Sequence, residues 1–338
     1  MANVCVTGGA GYIGSHCVHY LLTHTQHSVV VVDDLSTGHE WAIKNCNNAL
    51  HREIPFYNNS IADQDAMKTI FRAHSVDAVI HFAACSLVAE SQENPLKYFS
   101  NNTAATVRLL EAIAQCDIHS VVFSSTASVY GDAQSDTIDE SHELRPINHY
   151  GMSKLLIERV LGYAAATHHL NYAALRYFNV AGADTGGYIG EVHDPETHLI
   201  PLVLKAALGI REKAYIFGDD YPTQDGTAVR DYIHVTDLVR AHVLAMDLIL
   251  NNGGQYAINL GSEKGYSVKQ VIDTVKRVTD KEFLVELAPR RAGDPPVLRA
   301  SIRKAQEILG WQPLYGLESM VDSAYSWEKK VWSQTHIL

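Results

Sequence analysis

A short apolar strand runs straight into three spaced glycines at the head of this chain. Residues 4 to 15 read Val-Cys-Val-Thr-Gly-Gly-Ala-Gly-Tyr-Ile-Gly-Ser. Gly8 allows a tight turn that a Cβ would obstruct, Gly11 lets backbone amides come close to a pyrophosphate, and Gly14 lets the following helix pack closely on the sheet. The helix N-terminus then offers free N–H groups and a partial positive charge to phosphates. A second apolar run, Val29 to Val32, ends in Asp33. It falls about 20 residues beyond the last glycine, where a carboxylate meets the ribose hydroxyls of a dinucleotide. An acid there repels a 2′-phosphate, so NAD is expected rather than NADP.

Strand and helix signals then alternate. Strands are expected over 4–7, 29–33, 55–57, 78–83, 120–124 and 172–177, and helices over 15–22, 63–73, 104–114 and 150–166. The run at 78–83 is continuously apolar, as in a parallel strand buried on both faces. This alternation implies right-handed crossovers and a Rossmann-type, doubly wound parallel α/β sheet. Beyond Asn179 the texture changes: 182–197 is rich in Gly, Asp, Pro and His, 221–226 is a turn cluster, 199–208 is helical, and Ser267 to Gln270 forms a capping box. Residues 1–179 are therefore read as an NAD-binding domain. Residues 180–338 are read as a smaller mixed α/β substrate-binding domain, some segments of which return to the first. Substrate is expected in the cleft between them.

Composition narrows the class of function. A net charge of −11 without a basic run argues against a nucleic-acid surface. No apolar segment is long enough to span a membrane, and the chain enters its first strand too early for a signal peptide. The five cysteines are scattered with no C-x-x-C pair, which reads as reduced, mostly buried thiols in a cytoplasmic protein. His193 and His198 bracket Asp194 and Glu196, but Pro195 and the loop character of the segment argue against a metal, and none is expected.

Tyr150-Gly151-Met152-Ser153-Lys154 puts a phenol and an ammonium four residues apart, on one face of a starting helix. Oxidising a sugar alcohol requires removal of its hydroxyl proton as hydride leaves carbon. A phenol of pKa about 10 is a poor base at neutral pH unless positive charge favours the phenolate. Ser124-Ser125-Thr126, at the end of the preceding strand, supplies hydroxyls that can hold the substrate oxygen.

The Gly8/Gly11/Gly14 loop, Ser-Ser-Thr-Ala-Ser-Val-Tyr-Gly at 124–131 and Tyr150/Lys154 resemble the extended short-chain dehydrogenase/reductase superfamily. Arg176-Tyr177-Phe178-Asn179, the run from Gly226 to Val235, and the run from Pro289 to Asp294 resemble the UDP-glucose (UDP-galactose) 4-epimerase family, over nearly the whole chain. The resemblance implies tightly held NAD, a UDP-sugar substrate, a homodimer, and 4-epimerisation through a transient 4-keto sugar. UDP-N-acetylhexosamine, UDP-pentose or UDP-uronate are alternative substrates. It makes Tyr150 the base, Lys154 its modulator and a cofactor contact, and Thr126 the hydroxyl, where many epimerases have serine. It places Gly8, Gly11, Tyr12, Ile13, Gly14, Asp33, Ser36, Ile61, Phe82, Ala83, Asn101 and Tyr177 on the cofactor. With Thr126 and Tyr150, it places Asn179, His198, Leu199, Phe217, Arg230, Arg291, Asp294 and Leu298 on the sugar nucleotide, where arginines bring forked donors to a diphosphate.

Ser60 and Ser86 stand where some epimerases have aspartate and lysine, and His198 replaces an asparagine near the sugar nucleotide. Leu298 sits where relatives vary the side chain near C2 of the sugar, and its intermediate size leaves N-acetyl sugars open. Dehydratases on this scaffold resemble Thr-Asp-Glu where this chain has Thr126-Ala127-Ser128, so no side chain is present there to expel water. Cofactor-sensing regulators of this fold lose the tyrosine or lysine, and this chain keeps both.

Overall fold

The computed structural model describes residues 1–132, 135–291 and 294–335. Seven strands form one sheet in the order Gln255–Leu260, Asn171–Tyr177, Ser120–Thr126, Ala78–His81, Asn3–Thr7, Ser28–Asp33 and Phe56–Asn58. Every pairing in it is parallel. The continuous apolar runs are explained by burial on both faces. Val4, Val6, Val29 and Val31 join one core cluster, while Cys5, Val30 and Val32 join another on the opposite face. The chain starts at Asn3–Thr7, winds outward through Ser28–Asp33 and Phe56–Asn58, then returns to Ala78–His81 on the other side of the first strand. Strand order reverses there, which opens a crevice at the carboxyl ends of the two central strands.

The glycine loop fills that switch point. Gly8 has φ +71°, and a Cβ on it would lie 2.5 Å from the Ala83 nitrogen. A Cβ on Gly14 would meet the Gly8 carbonyl oxygen at 2.0 Å, so the helix Tyr12–His24 can lie this close to the loop only with glycine there.

The expected elements are present with shifted ends. The long helix is His149–His168, and the strand at 78–83 stops at His81. The helix Glu40–Leu50 was not foreseen, nor was Phe99–Ala104, a π-helical stretch leading into the helix Ala105–Gln115. The strand Gln255–Leu260 joins the sheet edge from far along the chain, and the helix Val235–Asn252 packs on Tyr12–His24. The capping box at Ser267 is formed. The five cysteines are free, four of them buried. No described helix is long and apolar enough to cross a membrane.

A second core gathers the helices Leu199–Ala207, Val268–Thr279 and Leu317–Thr335. A four-stranded sheet of Tyr266–Ser267, Val229–Arg230, Val297–Ala300 and Thr137–Ile138 ties the later half to the earlier one. Its pin is Asp231, fully buried. Its carboxylate accepts from the backbone nitrogens of Ser262, Glu263 and Ala300 and from the Ser262 hydroxyl, at 2.6 to 3.1 Å. These bonds compensate the cost of burying the charge and fix the backbone that carries Arg230 and Leu298, which are partners in register.

Candidate active site

A cavity of about 790 Å³ opens over the strand ends and reaches across to the Val229–Arg230 and Val297–Ala300 edge. It gathers most of the residues singled out in the sequence. Gly8, Gly11, Tyr12, Ile13, Gly14, Asp33, Ser36, Ile61, Phe82, Ala83, Asn101 and Tyr177 line it, with Thr126, Tyr150 and Lys154 at its centre. Asn179, His198, Arg230, Asp294 and Leu298 also line it. Leu199, Phe217 and Arg291 do not. Leu199 is the first residue of a helix and packs toward the second core. Arg291 lies 4.1 Å over the Phe217 ring, a cation–π contact that occupies both side chains. Ala292 and Gly293 of the same motif lie outside the described residues.

Asp33 ends its strand with a buried carboxylate. Oδ2 accepts from the Ala10 nitrogen at 3.0 Å and Oδ1 from the Leu35 nitrogen at 2.8 Å. Burial raises its pKa, and these backbone bonds oppose that. Each oxygen keeps a second lone pair for a hydroxyl donor. A Cβ on Gly11 would meet only the Gly8 oxygen, at 3.3 Å, and otherwise stand in the cavity. The Tyr12–His24 helix has no side-chain cap at its N-terminus. A glycine-floored cradle at a helix N-terminus, with a carboxylate at the end of the second strand, fits the pyrophosphate and ribose of NAD.

The three strand-end hydroxyls, of which the resemblance singles out Thr126, have separate surroundings. Ser124 Oγ is 2.6 Å from the Tyr177 hydroxyl. Ser125 Oγ donates to Glu158 Oε1 at 2.6 Å. Thr126 Oγ1 accepts from the Ser128 nitrogen at 3.1 Å, and Thr126 alone of the three lines the cavity with Tyr150. Thr126 is thus the strand-end hydroxyl that shares the cavity with the phenol. The strand that carries it is braced at Ser125 by a buried network missed in the sequence. Arg176 donates to both oxygens of Glu158, from Nε at 3.0 Å and Nη2 at 2.6 Å, and its Nη1 donates to the Tyr130 hydroxyl at 3.0 Å.

Tyr150 is buried, and burial pushes its phenol well above the usual value. Tyr177 adds to the rise and Thr126 opposes it. Lys154 Nζ donates to the Ser124 carbonyl at 2.9 Å and stands 5.9 Å from the Tyr150 ring centre. Burial pushes Lys154 down to about 7. Between pH about 7 and its unfolded value near 10.4 the native state then binds fewer protons than the unfolded chain, so stability through this residue rises with pH. Thermal melts of the unsubstituted protein and Lys154→Met across that window should show this part of the slope lost in the variant. Parallel curves would contradict the low value.

The sequence model of the GDP-mannose 4,6 dehydratase family matches residues 5–324. The UDP-glucose 4-epimerase of Halalkalibacterium halodurans is 48% identical over 97% of this chain and 96% of its own. The chain belongs to the UDP-glucose 4-epimerase family. Its fold superposes on the UDP-glucose-4-epimerase of Stenotrophomonas maltophila, crystallised with bound NAD and formylated UDP-arabinopyranose. That match has a TM-score of 0.96 and 37% identity, covering 99% of this chain and 100% of that one. The UDP-Glc/GlcNAc 4-epimerase of Campylobacter jejuni matches with a TM-score of 0.86 and 43% identity, over 98% and 100%.

Three positions that set this chain apart from many epimerases, Ser60, Ser86 and His198, all face the cavity. Arg230 Nη1 is tied to the Val229 and Pro295 carbonyls at 2.8 Å each, and Nη2 lies 3.4 Å from Asp294 Oδ1. The guanidinium is therefore held in one orientation at the cavity wall. Asn179 Nδ2 donates to the Asp231 carbonyl at 3.0 Å, leaving its own carbonyl oxygen as the group with spare capacity.

Proposed function

We propose that this protein interconverts UDP-galactose and UDP-glucose by 4-epimerisation with NAD, passing through a transient 4-keto sugar. The observation that carries the reading is the gathering of Tyr150, Thr126 and Lys154 in one cavity with the glycine cradle, Asp33 and Arg230. In this reading Tyr150 takes the C4 hydroxyl proton and later returns it, and Thr126 holds the C4 oxygen. Lys154 carries positive charge beside the phenol and contacts the cofactor, and the chemistry that bound NAD supplies is reversible hydride acceptance at C4. Gly8, Gly11, Tyr12, Ile13, Gly14, Asp33, Ser36, Ile61, Phe82, Ala83, Asn101 and Tyr177 hold that cofactor. Asn179, His198, Arg230, Asp294 and Leu298, which line the cavity, hold the sugar nucleotide together with Leu199, Phe217 and Arg291. UDP anchored far from C4 tethers the keto sugar while it turns over. Residues 1–179, with the returning 235–260, form the cofactor half, and the remainder the substrate half. A homodimer in the cytoplasm, acting on no nucleic acid or membrane, completes the reading and rests on the family resemblance.

Purified protein should interconvert UDP-galactose and UDP-glucose without added cofactor, and denatured protein should release NAD, read by absorbance and an enzymatic NAD assay. Release of NADP, or a need for added NADPH, would overturn the reading of Asp33.

Leu298 bears on the N-acetylated substrates, which it should leave slower than UDP-galactose. Leu298 lines the cavity on one side and packs against the main core on the other, so its volume sets the space beside the sugar. A few methylenes in a pocket are worth about 1–3 kcal/mol of discrimination. Leu298→Ser should raise the kcat/KM ratio of UDP-N-acetylgalactosamine to UDP-galactose roughly tenfold or more, and Leu298→Tyr should lower it. An unchanged ratio in both variants would remove Leu298 from the sugar pocket.

A further inference from the structure

Outside the reacting groups, four side chains of one short loop converge. Glu191, His193, Glu196 and His198 each bring one ligating atom to within 4.8 Å of the others. His198 Nδ1 lies 2.9 Å from Glu191 Oε1 and 2.9 Å from Glu196 Oε1, and His193 Nδ1 lies 3.1 Å from Glu191 Oε1 and 3.6 Å from Glu196 Oε2. Around a tetrahedral ion with bonds of about 2.0–2.1 Å, neighbouring ligand atoms stand about 3.3 Å apart. The observed spacings scatter about that edge length.

Hydrogen bonding accounts for the contact of His198 Nδ1 with Glu196 Oε1, but an ion-pair network of two imidazolium rings and two carboxylates accounts less well for His193. The Nδ1 of His193 is shut off from solvent and makes no hydrogen bond, although a carboxylate oxygen is 3.1 Å away. A proton on that nitrogen would not aim at the oxygen, so the buried ring nitrogen is left without a partner of its own. The ion-pair reading also sets two cationic rings with centres 5.1 Å apart. The side chains of Glu191 and Glu196 are only 7% and 5% exposed, so their charges need compensation close by. A divalent cation with neutral imidazoles supplies the same two positive charges without repulsion between the rings.

We propose that Glu191, His193, Glu196 and His198 form a closed N2O2 site for a borderline first-row divalent cation of the Zn2+ class. With four protein ligands it is a structural site and takes no part in the hydride chemistry. Its consequence reaches the sugar nucleotide through His198, which precedes the helix Leu199–Ala207 and lines the cavity. Ligation through Nδ1 fixes the tautomer, making Nε2 the N–H nitrogen of His198. This last consequence rests on the reading of the cavity given above, but the metal site itself does not.

The test uses full-length protein treated with chelator and dialysed. Calorimetric titration with ZnCl2 alone should show one saturable site per chain, weakened at least tenfold in both His193→Ala and Glu191→Gln, with circular dichroism confirming that the variants fold. Crystals of the unsubstituted protein soaked in ZnCl2 should give an anomalous difference peak between the four side chains, which decides the question even where a variant fails to fold. Unchanged affinity in two folded variants, or anomalous peaks at other histidines with none in this cluster, would overturn the proposal. If the metal binds as expected and epimerisation is absent, the proposed function fails and this site stands.

Discussion

Tyr150→Phe is expected to lower turnover by ~10²-fold or more at neutral pH, the usual scale for losing a general acid–base group, while leaving the fold intact. The phenyl ring is retained, so its burial and its edge-on packing against Tyr98, with ring centres 6.5 Å apart, survive. Only the phenolic oxygen, which shares the cavity with Thr126, is removed. Thermal melts should stay near those of the unsubstituted protein while kcat collapses. A near-normal kcat would remove Tyr150 from the role of base. A fall in kcat accompanied by a large loss of stability would show that the hydroxyl serves the fold instead.

The second large effect concerns stability. Glu158→Ala leaves the buried Arg176 guanidinium facing Tyr130 alone and strips Ser125 of its acceptor. Breaking one side of a buried ion pair costs about 3–5 kcal/mol, because the remaining charge has lost its compensation. Denaturant unfolding should show a loss of that size. The paired replacement Glu158→Leu with Arg176→Met should recover much of it, since no orphaned charge remains. If the single variant unfolds like the unsubstituted protein, the network is not the prop of the strand that ends in Thr126.

The parts of the site that the sequence revealed are those set by local geometry. The glycine loop is legible because positive φ and close backbone approach exclude other residues there. Tyr150 and Lys154 are legible because four residues make about one helical turn. Only the family resemblance singles out Thr126 from Ser124 and Ser125; no local pattern does, because the partners that turn the two serines aside, Tyr177 and Glu158, are distant in sequence. The motif context brings Arg291 and Phe217 together as sugar-nucleotide residues but does not reveal that they stack on each other. The strand Gln255–Leu260 finds its place by pairing with Asn171–Tyr177, a partner no local pattern names. In the loop from Glu191 to His198, Pro195 and the lack of periodicity read as absence of structure. Irregular backbone is nonetheless what allows four side chains to converge on one point.

The central claim, that hydride leaves C4 and comes back to it while Tyr150 carries the proton, is tested most directly with UDP-galactose deuterated at C4. Incubated in ordinary water, the protein should yield UDP-glucose with the deuterium still at C4, as read by mass spectrometry and proton NMR. Washout of the label to solvent would contradict the account, because it would mean that C4 is inverted by proton exchange at carbon and not by transfer and return of a hydride.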